Sequence, residues 1–243
     1  ESGWTVLYGD TDSLFLDAHL PEEMSPEAAI KKGHEICEMV NQKLSEHLKT
    51  EFGLESQLEL EFEKLYKKLL LPPARGSESR GRAKGYAGMI LKADGEELQI
   101  VGMEAVRRDW TKLSHIFQRD LLTLLFKDAP ASEMEQFIKD ELETIRTGQK
   151  DDQLIYRKAL RKPVEEYTKT TPPHVKAARL LPNPSGVIQY VMTIQGPQPV
   201  GFQTDAMDYT HYVEKQIKPI VEAIAQFCDI NMRGLFAGDQ LSF

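Results

Sequence analysis

Cysteine is scarce in this 243-residue sequence, which contains only Cys37 and Cys228, far apart and without the spacing of metal ligands. We therefore expect buried, reduced thiols in a cytoplasmic protein. Long apolar runs are also missing: the sequence has no stretch of about 18 apolar residues, the length that a membrane-spanning helix needs. The chain begins with Glu1 instead of Met, and a strand-like segment follows almost at once. We expect from this start a piece of a longer chain, without a signal peptide.

Basic residues are fewer than acidic ones, 30 against 38, and the net charge is -8. Taken alone, this balance argues against a nucleic-acid partner. Its distribution argues the other way, because residues 64–92 contain eight basic side chains and one acid, Glu78. This basic stripe predicts a surface that faces phosphates. A solvated loop whose charges serve solubility is the alternative.

The most informative segment is Tyr8-Gly-Asp-Thr-Asp-Ser13, which lies between the apolar runs 6–8 and 14–16. The two runs predict the strands of a hairpin, with turn residues between them. Asp10 and Asp12 are one residue apart, and their mutual repulsion is relieved by a divalent cation or by a solvated turn. Mg²⁺ prefers such carboxylates together with water and phosphate oxygens. A plain turn and the Asp-x-Asp metal site of glycosyltransferases remain alternatives.

The other patterns predict an α+β fold in two parts. The first part, about residues 1–103, should contain the hairpin, a helix that Ser25 caps and Gly53 ends, and a second hairpin around Asp94-Gly95. Residues 58–62 predict a strand, with 66–71 as its continuation or partner. The second part, about residues 104–243, should be mainly helical. Its predicted elements are helices at 110–126, 132–145, 172–181 and 208–227, an extended segment at 154–160 and a strand at 187–194.

The hexapeptide matches, residue for residue, a catalytic motif of the family B DNA polymerases, the palm hairpin that carries metal-binding aspartates. Residues 62–66 resemble the strand that leads to that family's Lys-x-Tyr element, and Lys84-Gly-Tyr-Ala-Gly88 resembles the element itself. The resemblance implies that Lys84 and Tyr86 contact the DNA minor groove. The hydrogen-bond acceptors of the minor groove are common to all correct base pairs, so the two side chains could check the geometry of a pair without reading the DNA sequence. Ala83 and Gly85 stand where the family often has a second basic residue.

Later stretches resemble the family's thumb. Residues 104–110 are similar to the palm-to-thumb junction, where Arg107 or Arg108 and an Asp could tie the subdomains by bidentate pairing. Without the resemblance, the two arginines are a surface pair. Residues 172–178 resemble a thumb segment in which His174 and Lys176 suit backbone phosphate, with a buried structural helix as the alternative. Residues 208–219 are similar to the C-terminal thumb helix.

The last four residues, Gln240-Leu-Ser-Phe243, are similar to the short Gln-Leu-x-Leu-Phe tails by which bacterial polymerases engage the sliding clamp. One apolar position of that tail is missing here. In such a tail, Leu241 and Phe243 would fill an apolar pocket and Gln240 would fix the orientation.

The resemblance covers nearly the whole chain and implies the C-terminal part of a polymerase palm, residues 1–103, followed by a thumb with its tail, residues 104–243. It implies two Mg²⁺ ions, with Asp12 as the principal ligand and Asp10 as the weaker one. Tyr8 and Thr11 would support the hairpin and the primer end. The implied partners are primer–template DNA and a deoxynucleoside triphosphate, with no membrane. The implied location is the bacterial cytoplasm, at the nucleoid.

Two family patterns are absent from the sequence: the strand with the other metal carboxylate, and the fingers helix with the nucleotide-gripping lysine. We therefore expect that the fragment cannot polymerise by itself, although its parent can. A non-catalytic module that binds DNA and the clamp is the main alternative. A metal-dependent glycosyltransferase would need an αβα nucleotide fold, which the order of predicted elements does not favour.

Overall fold

The computed structural model describes residues 3–10, 12–72 and 85–236, and for Asp10 only its backbone. Helices and antiparallel strands are mixed, so the predicted α+β class is confirmed. The chain divides into two compact units, Glu1–Gln99 and Ile100–Phe243. Within the described ranges, no helix has the length and apolar character needed to cross a membrane.

The first unit opens with the predicted hairpin. Strand β1 (Thr5–Asp10) pairs antiparallel with β2 (Ser13–Asp17). The pairing closes with Asp10 opposite Ser13, so the two aspartates of the motif lie at the end of the hairpin. An irregularity in the register between Val6 and Tyr8 bends β1 locally.

The long helix α1 (Pro26–Phe52) begins and ends where the sequence predicts. The Ser25 hydroxyl accepts a 3.3 Å hydrogen bond from the Ala28 amide, and Pro26 occupies the first turn. Gly53 ends the helix in the left-handed conformation, with φ of 65°. The buried helix residues Ala29 and Ile36 belong to the core that α1 forms with the sheet next to it.

That sheet has the order β3-β4-β5, from β3 (Leu65–Leu70), β4 (Tyr86–Lys92) and β5 (Gly95–Val101). The prediction of a strand at residues 58–62 is wrong, because these residues form no strand in the structure. Asn41 of α1 pairs with the backbone of Leu60 instead: its Oδ1 accepts from the Leu60 amide and its Nδ2 donates to the Leu60 carbonyl, both at 2.8 Å. The Cys37 thiol donates to the same carbonyl at 3.1 Å. The segment therefore runs along the helix without a partner strand.

The second unit combines helices with a three-stranded antiparallel sheet of order β6-β7-β8. Its strands are β6 (Tyr156–Ala159), β7 (Val187–Thr193) and β8 (Gly196–Pro199). Its helices are α2 (Lys112–Phe126), α3 (Ala131–Arg146), α4 (Pro173–Ala178), α5 (Tyr209–Tyr212), α6 (Lys218–Ala225) and α7 (Met232–Phe236). Apolar side chains of α2, α3 and the last helices are buried together in its core. Sequence patterns did not predict β8, because its two prolines are typical of a loop; at the edge of a sheet they are tolerated.

The predicted last helix starts at its expected cap, because Asp208 Oδ1 accepts from the His211 amide at 2.9 Å. It is not one regular helix, since a π-helical segment, Val213–Ile217, separates α5 from α6. Pro219 explains the interruption, because proline has no N–H for the carbonyl of residue 215 and its ring crowds that carbonyl. The side chain of Gln216 donates to the Lys215 carbonyl instead, at 3.4 Å.

Candidate metal centre and nucleic-acid interface

The hairpin end presents Asp12 to solvent. Its Oδ1 accepts a long, 3.4 Å hydrogen bond from the Ser13 hydroxyl, and the rest of the carboxylate faces outward. Exposed carboxylate oxygens are the hard ligands that Mg²⁺ takes, usually one or two of them with water and phosphate oxygens completing the shell. Among the described side chains, which do not include that of Asp10, no cluster of three or more metal-binding residues forms. The exposed Asp12 carboxylate could therefore serve as one ligand of an open magnesium site.

An aromatic cluster lies behind the hairpin end. It joins both hairpin strands to the neighbouring sheet, and we call the set Tyr8, Phe15, Tyr66 and Tyr86 the aromatic cluster. The Phe15 ring lies 5.7 Å from Tyr8, 6.0 Å from Tyr66 and 5.2 Å from Tyr86, measured between ring centroids. Tyr66 and Tyr86 meet edge to face at 6.3 Å. Two residues predicted to contact DNA, Tyr8 and Tyr86, are thus brought together around Phe15.

Tyr66 is held from two further sides, and sequence reasoning did not single it out. Its hydroxyl donates a short hydrogen bond to Gln99 Oε1 on β5. Burial, with a smaller effect of Tyr86, raises the pKa of Tyr66 well above its usual value, so the hydroxyl remains a donor. Gly88 lies under the ring: a Cβ added there would be 2.7 Å from Tyr66 Cε1. The glycine of the Lys84–Gly88 element therefore makes room for this ring.

Part of the predicted basic stripe is engaged in ion pairs. Lys67 Nζ lies 2.6 Å from Glu96, and Lys92 pairs closely with Glu97, both acids being on β5. Lys64 is 3.4 Å from Glu63. The basic residues between positions 75 and 84, including the predicted site residue Lys84, lie outside the described residues, and so does Thr11. The phosphate-facing role of the stripe stays a prediction.

In the second unit, Arg107 makes a bidentate ion pair with Asp109, two residues further on; the predicted tie between the subdomains stays a prediction. Arg107 Nε and Nη2 lie 3.0 and 2.7 Å from the two carboxylate oxygens of Asp109. This pairing lowers the pKa of Asp109 and raises that of Arg107. Both partners belong to the second unit, and the His115 ring contacts the Arg107 carbonyl at 2.8 Å. Arg108 is exposed.

The two residues of α4 that were predicted to bind phosphate, His174 and Lys176, differ in burial. His174 is only 9% exposed, and burial, assisted by the nearby charge of Lys158, lowers its pKa. The His174 ring packs edge to face on Tyr167, with the ring centroids 6.3 Å apart. Lys176, two residues on, is exposed. The geometry favours a packing role for His174 and leaves Lys176 free to reach solvent.

A basic cluster that sequence reasoning missed gathers around Tyr167. Lys162 Nζ lies 4.9 Å from the centre of the Tyr167 ring, and Arg179 Nη2 donates to the Tyr167 carbonyl at 3.2 Å. The Tyr167 hydroxyl accepts from the Arg161 amide at 3.1 Å. Residues 157–179 contain seven Lys and Arg against two Glu. That local charge excess, which follows the acidic α3, was the signal available in the sequence. We call Arg161, Lys162 and Arg179 the Tyr167 cluster.

The C-terminal residues Gln240, Leu241 and Phe243, predicted to bind a sliding clamp, lie outside the described residues. Their role stays a prediction.

The geometry of the hairpin agrees with what comparisons with known proteins find. The sequence matches the profile of DNA polymerase family B over residues 1–224. The chain belongs to this family, as its motifs predicted.

Individual relatives point the same way. The chain is 37% identical to DNA polymerase II of Escherichia coli (strain K12), over 97% of the chain and 31% of that protein. It is 29% identical to a DNA polymerase of Methanocaldococcus jannaschii, over 96% of the chain and 14% of that protein. DNA polymerase 2 of Aeropyrum pernix is 28% identical over the whole chain and 28% of that protein. The chain spans less than a third of the length of each of these relatives.

Proposed function

We propose that the chain is the C-terminal part of the palm and the thumb of a DNA-directed DNA polymerase. Membership of family B, together with an exposed aspartate at the end of the Tyr8–Ser13 hairpin, carries the proposal. The parent protein would transfer nucleotides to a primer on a template. The chain alone is expected to be inactive, because its sequence lacks the family's patterns for the second metal carboxylate and for the nucleotide-gripping lysine.

In this function, Asp12 and Asp10 would hold Mg²⁺ at the hairpin end. The bound metal would lower the pKa of the primer 3'-hydroxyl and offset charge on the nucleotide phosphates. The Ser13 hydroxyl donates a 3.4 Å hydrogen bond to the Asp12 carboxylate, and the pairing of β1 with β2 sets the backbone of Asp10 opposite that of Ser13. Tyr8 and Thr11 would support the hairpin and the primer terminus.

Primer–template DNA would be gripped by contacts of two kinds. Lys84 and Tyr86 would test the minor groove near the hairpin, where acceptors are the same for every correct pair. Exposed cations of the second unit would contact phosphates and position the duplex without reading its sequence. The Tyr167 cluster and Lys176 are candidates for this role, whereas the buried His174 would support them from beneath.

Two further parts of the proposal concern partners and location. Gln240, Leu241 and Phe243 would dock on a sliding clamp and keep the parent on its template, with the two apolar side chains as anchors. The parent would work at the nucleoid, in the bacterial cytoplasm.

Duplex binding by the 243-residue chain tests the proposal. Affinity for a fluorescent primer–template is measured by anisotropy across a salt titration, for the wild type and three variants. Arg161→Ala/Lys162→Ala tests the phosphate contacts, and Lys84→Ala/Tyr86→Ala tests the minor-groove contacts. Lys127→Ala/Lys139→Ala removes the same charge from exposed positions outside the Tyr167 cluster and serves as the control.

We expect the wild type to bind more weakly as salt rises. Removing two phosphate contacts should reduce the slope of log K against log salt by about two. The Lys84/Tyr86 variant should bind more weakly with a smaller change of slope, and the control should match the wild type. Absence of duplex binding at low salt contradicts the DNA-gripping role of this chain. Equal losses in the control and the Arg161/Lys162 variant contradict the assignment of the Tyr167 cluster.

A further inference from the structure

We infer that Tyr66 is a positioning residue for nucleotidyl transfer: it fixes the aspartate-bearing hairpin relative to the strand that carries Tyr86. This inference rests on the proposed polymerase function. Tyr66 is not among the residues predicted to hold Mg²⁺ or to contact DNA. It acts through the rings of Phe15 and Tyr86.

The contacts of Tyr66 connect the two parts of the proposed site. Its ring stacks on Phe15 at 6.0 Å and 29°, and Phe15 lies on β2, three residues after Asp12. The same ring meets Tyr86 edge to face at 6.3 Å. A displacement of Tyr66 would therefore move the hairpin relative to β4, and with it the carboxylates relative to the primer–template.

The position of Tyr66 is itself fixed by its surroundings. The register of β3 on β4 shifts between Tyr66 and Lys68, and such a bulge re-aims a side chain. The hydroxyl is bound to Gln99 on β5. Gly88 on β4 leaves the space that the ring fills, and any side chain there would overlap it. A strand bulge, a hydrogen bond and a missing Cβ thus all define one ring position.

Small displacements of this kind affect turnover more than binding. Misplacing reacting groups by about 1 Å costs on the order of a hundredfold in rate, while remote binding contacts are unchanged. Tyr66 contributes no predicted contact to DNA or nucleotide. Its loss should therefore lower kcat and leave the affinity for primer–template nearly unchanged.

The test uses the whole polymerase that contains this chain. Tyr66→Leu removes the ring, Tyr66→Phe removes only the hydroxyl, and Gly88→Ala pushes a methyl group against the ring. Phe62→Leu is the matched control, a half-buried aromatic of the same unit that contacts His34 and not the aromatic cluster. Steady-state kcat, KM for the nucleotide, primer–template Kd and thermal unfolding are measured for each variant.

We expect Tyr66→Leu to lower kcat about tenfold or more, with primer–template Kd within about twofold of the wild type. Tyr66→Phe should retain most of kcat, and Phe62→Leu should match the wild type. Gly88→Ala should lower kcat by itself but add little in the Tyr66→Leu background, because both changes act on one ring. Should Tyr66→Leu fail to fold, Gly88→Ala decides by the same split between kcat and Kd.

An unchanged kcat in Tyr66→Leu or, if that variant is unfolded, in Gly88→Ala overturns the inference. Fully additive losses in the double variant overturn it too, as does a loss that appears only in Kd. These results are distinct from failure of the proposed function, in which the wild-type polymerase itself incorporates no nucleotide.

Discussion

Asn41 of α1 should be a sensitive position of the first unit, because its side chain is bonded to both the amide and the carbonyl of Leu60. Replacing Asn41 with Ala removes an acceptor 2.8 Å from the Leu60 amide and a donor 2.8 Å from its carbonyl. The carbonyl keeps the Cys37 thiol at 3.1 Å, whereas the amide loses its partner.

The expected magnitude follows from two opposing effects. Two partly buried hydrogen bonds contribute about 2 kcal/mol together. Ala is the better helix former by about 0.6 kcal/mol, which offsets part of the loss. The free energy of unfolding should therefore fall by about 1.5 kcal/mol. The neighbouring variant Gln42→Ala loses only an exposed bond to Glu46 and should change it by less than about 0.5 kcal/mol.

Fluorescence can follow the first unit separately. The sequence has two tryptophans, Trp4 and Trp110, one in each unit. A Trp110→Phe background leaves Trp4, whose ring lies 5.8 Å from Lys43 of α1, as the reporter. Urea unfolding in this background gives the midpoint and the slope m for both variants. If Asn41→Ala and Gln42→Ala lower stability equally, Asn41 does not hold the 53–64 segment and the explanation for the missing strand is wrong.

Two further predictions concern the second unit. Gln216→Leu should lower the free energy of unfolding by about 3 kcal/mol, because it removes the acceptor of the Thr111 amide (3.1 Å) and of the Ser114 hydroxyl (2.8 Å), and the donor to the Lys215 carbonyl. Denaturant unfolding followed by the fluorescence of Trp110 measures this loss, with the exposed Glu222→Ala as the control. Equal stability of the two variants would contradict the role of these hydrogen bonds. Burial lowers the pKa of His211; the charge of Lys215 lowers it further, and that of Asp208 raises it in part. On acidification, His211 is therefore protonated in the unfolded chain before it is protonated in the folded one. The stability should decline as the pH falls below about 6.5 toward the lower folded pKa. Melting temperatures between pH 7.5 and 5 should show a smaller decline in His211→Gln, and an identical pH profile would refute the assignment.

Local signals in the sequence predicted the elements that local chemistry determines. Ser25-Pro26 and Gly53 specify the ends of α1 by capping, and the apolar runs around Gly9 specify the hairpin. The strand predicted at 58–62 failed because alternation of Leu and Glu is compatible with any extended chain. Which partner its backbone finds was decided by Asn41, about twenty residues away.

Long-range contacts account for the other differences. Pro219 was visible in the sequence, whereas the hydrogen bonds of Gln216, inside the π-helical segment, to Thr111 and Ser114 were not. The hairpin could be proposed as a metal site from its motif, whereas its contact with Tyr66 could not be predicted. Tyr66, Phe15 and Gly88 are far apart in the sequence, and only the pairing of β3 with β4 and the packing of the hairpin bring them together.

Nucleotide incorporation by the whole polymerase tests the central claim most directly. Asp12→Asn keeps the size of the side chain and removes the charge that Mg²⁺ needs, while Asp17→Asn makes the same change on β2, where Asp17 accepts from the His19 amide at 2.9 Å. We predict that Asp12→Asn lowers incorporation by at least about a hundredfold with primer–template affinity retained, and that Asp17→Asn stays near the wild type. Wild-type incorporation by Asp12→Asn, or an equal loss in Asp17→Asn, would contradict the assignment of the hairpin as the metal-binding site.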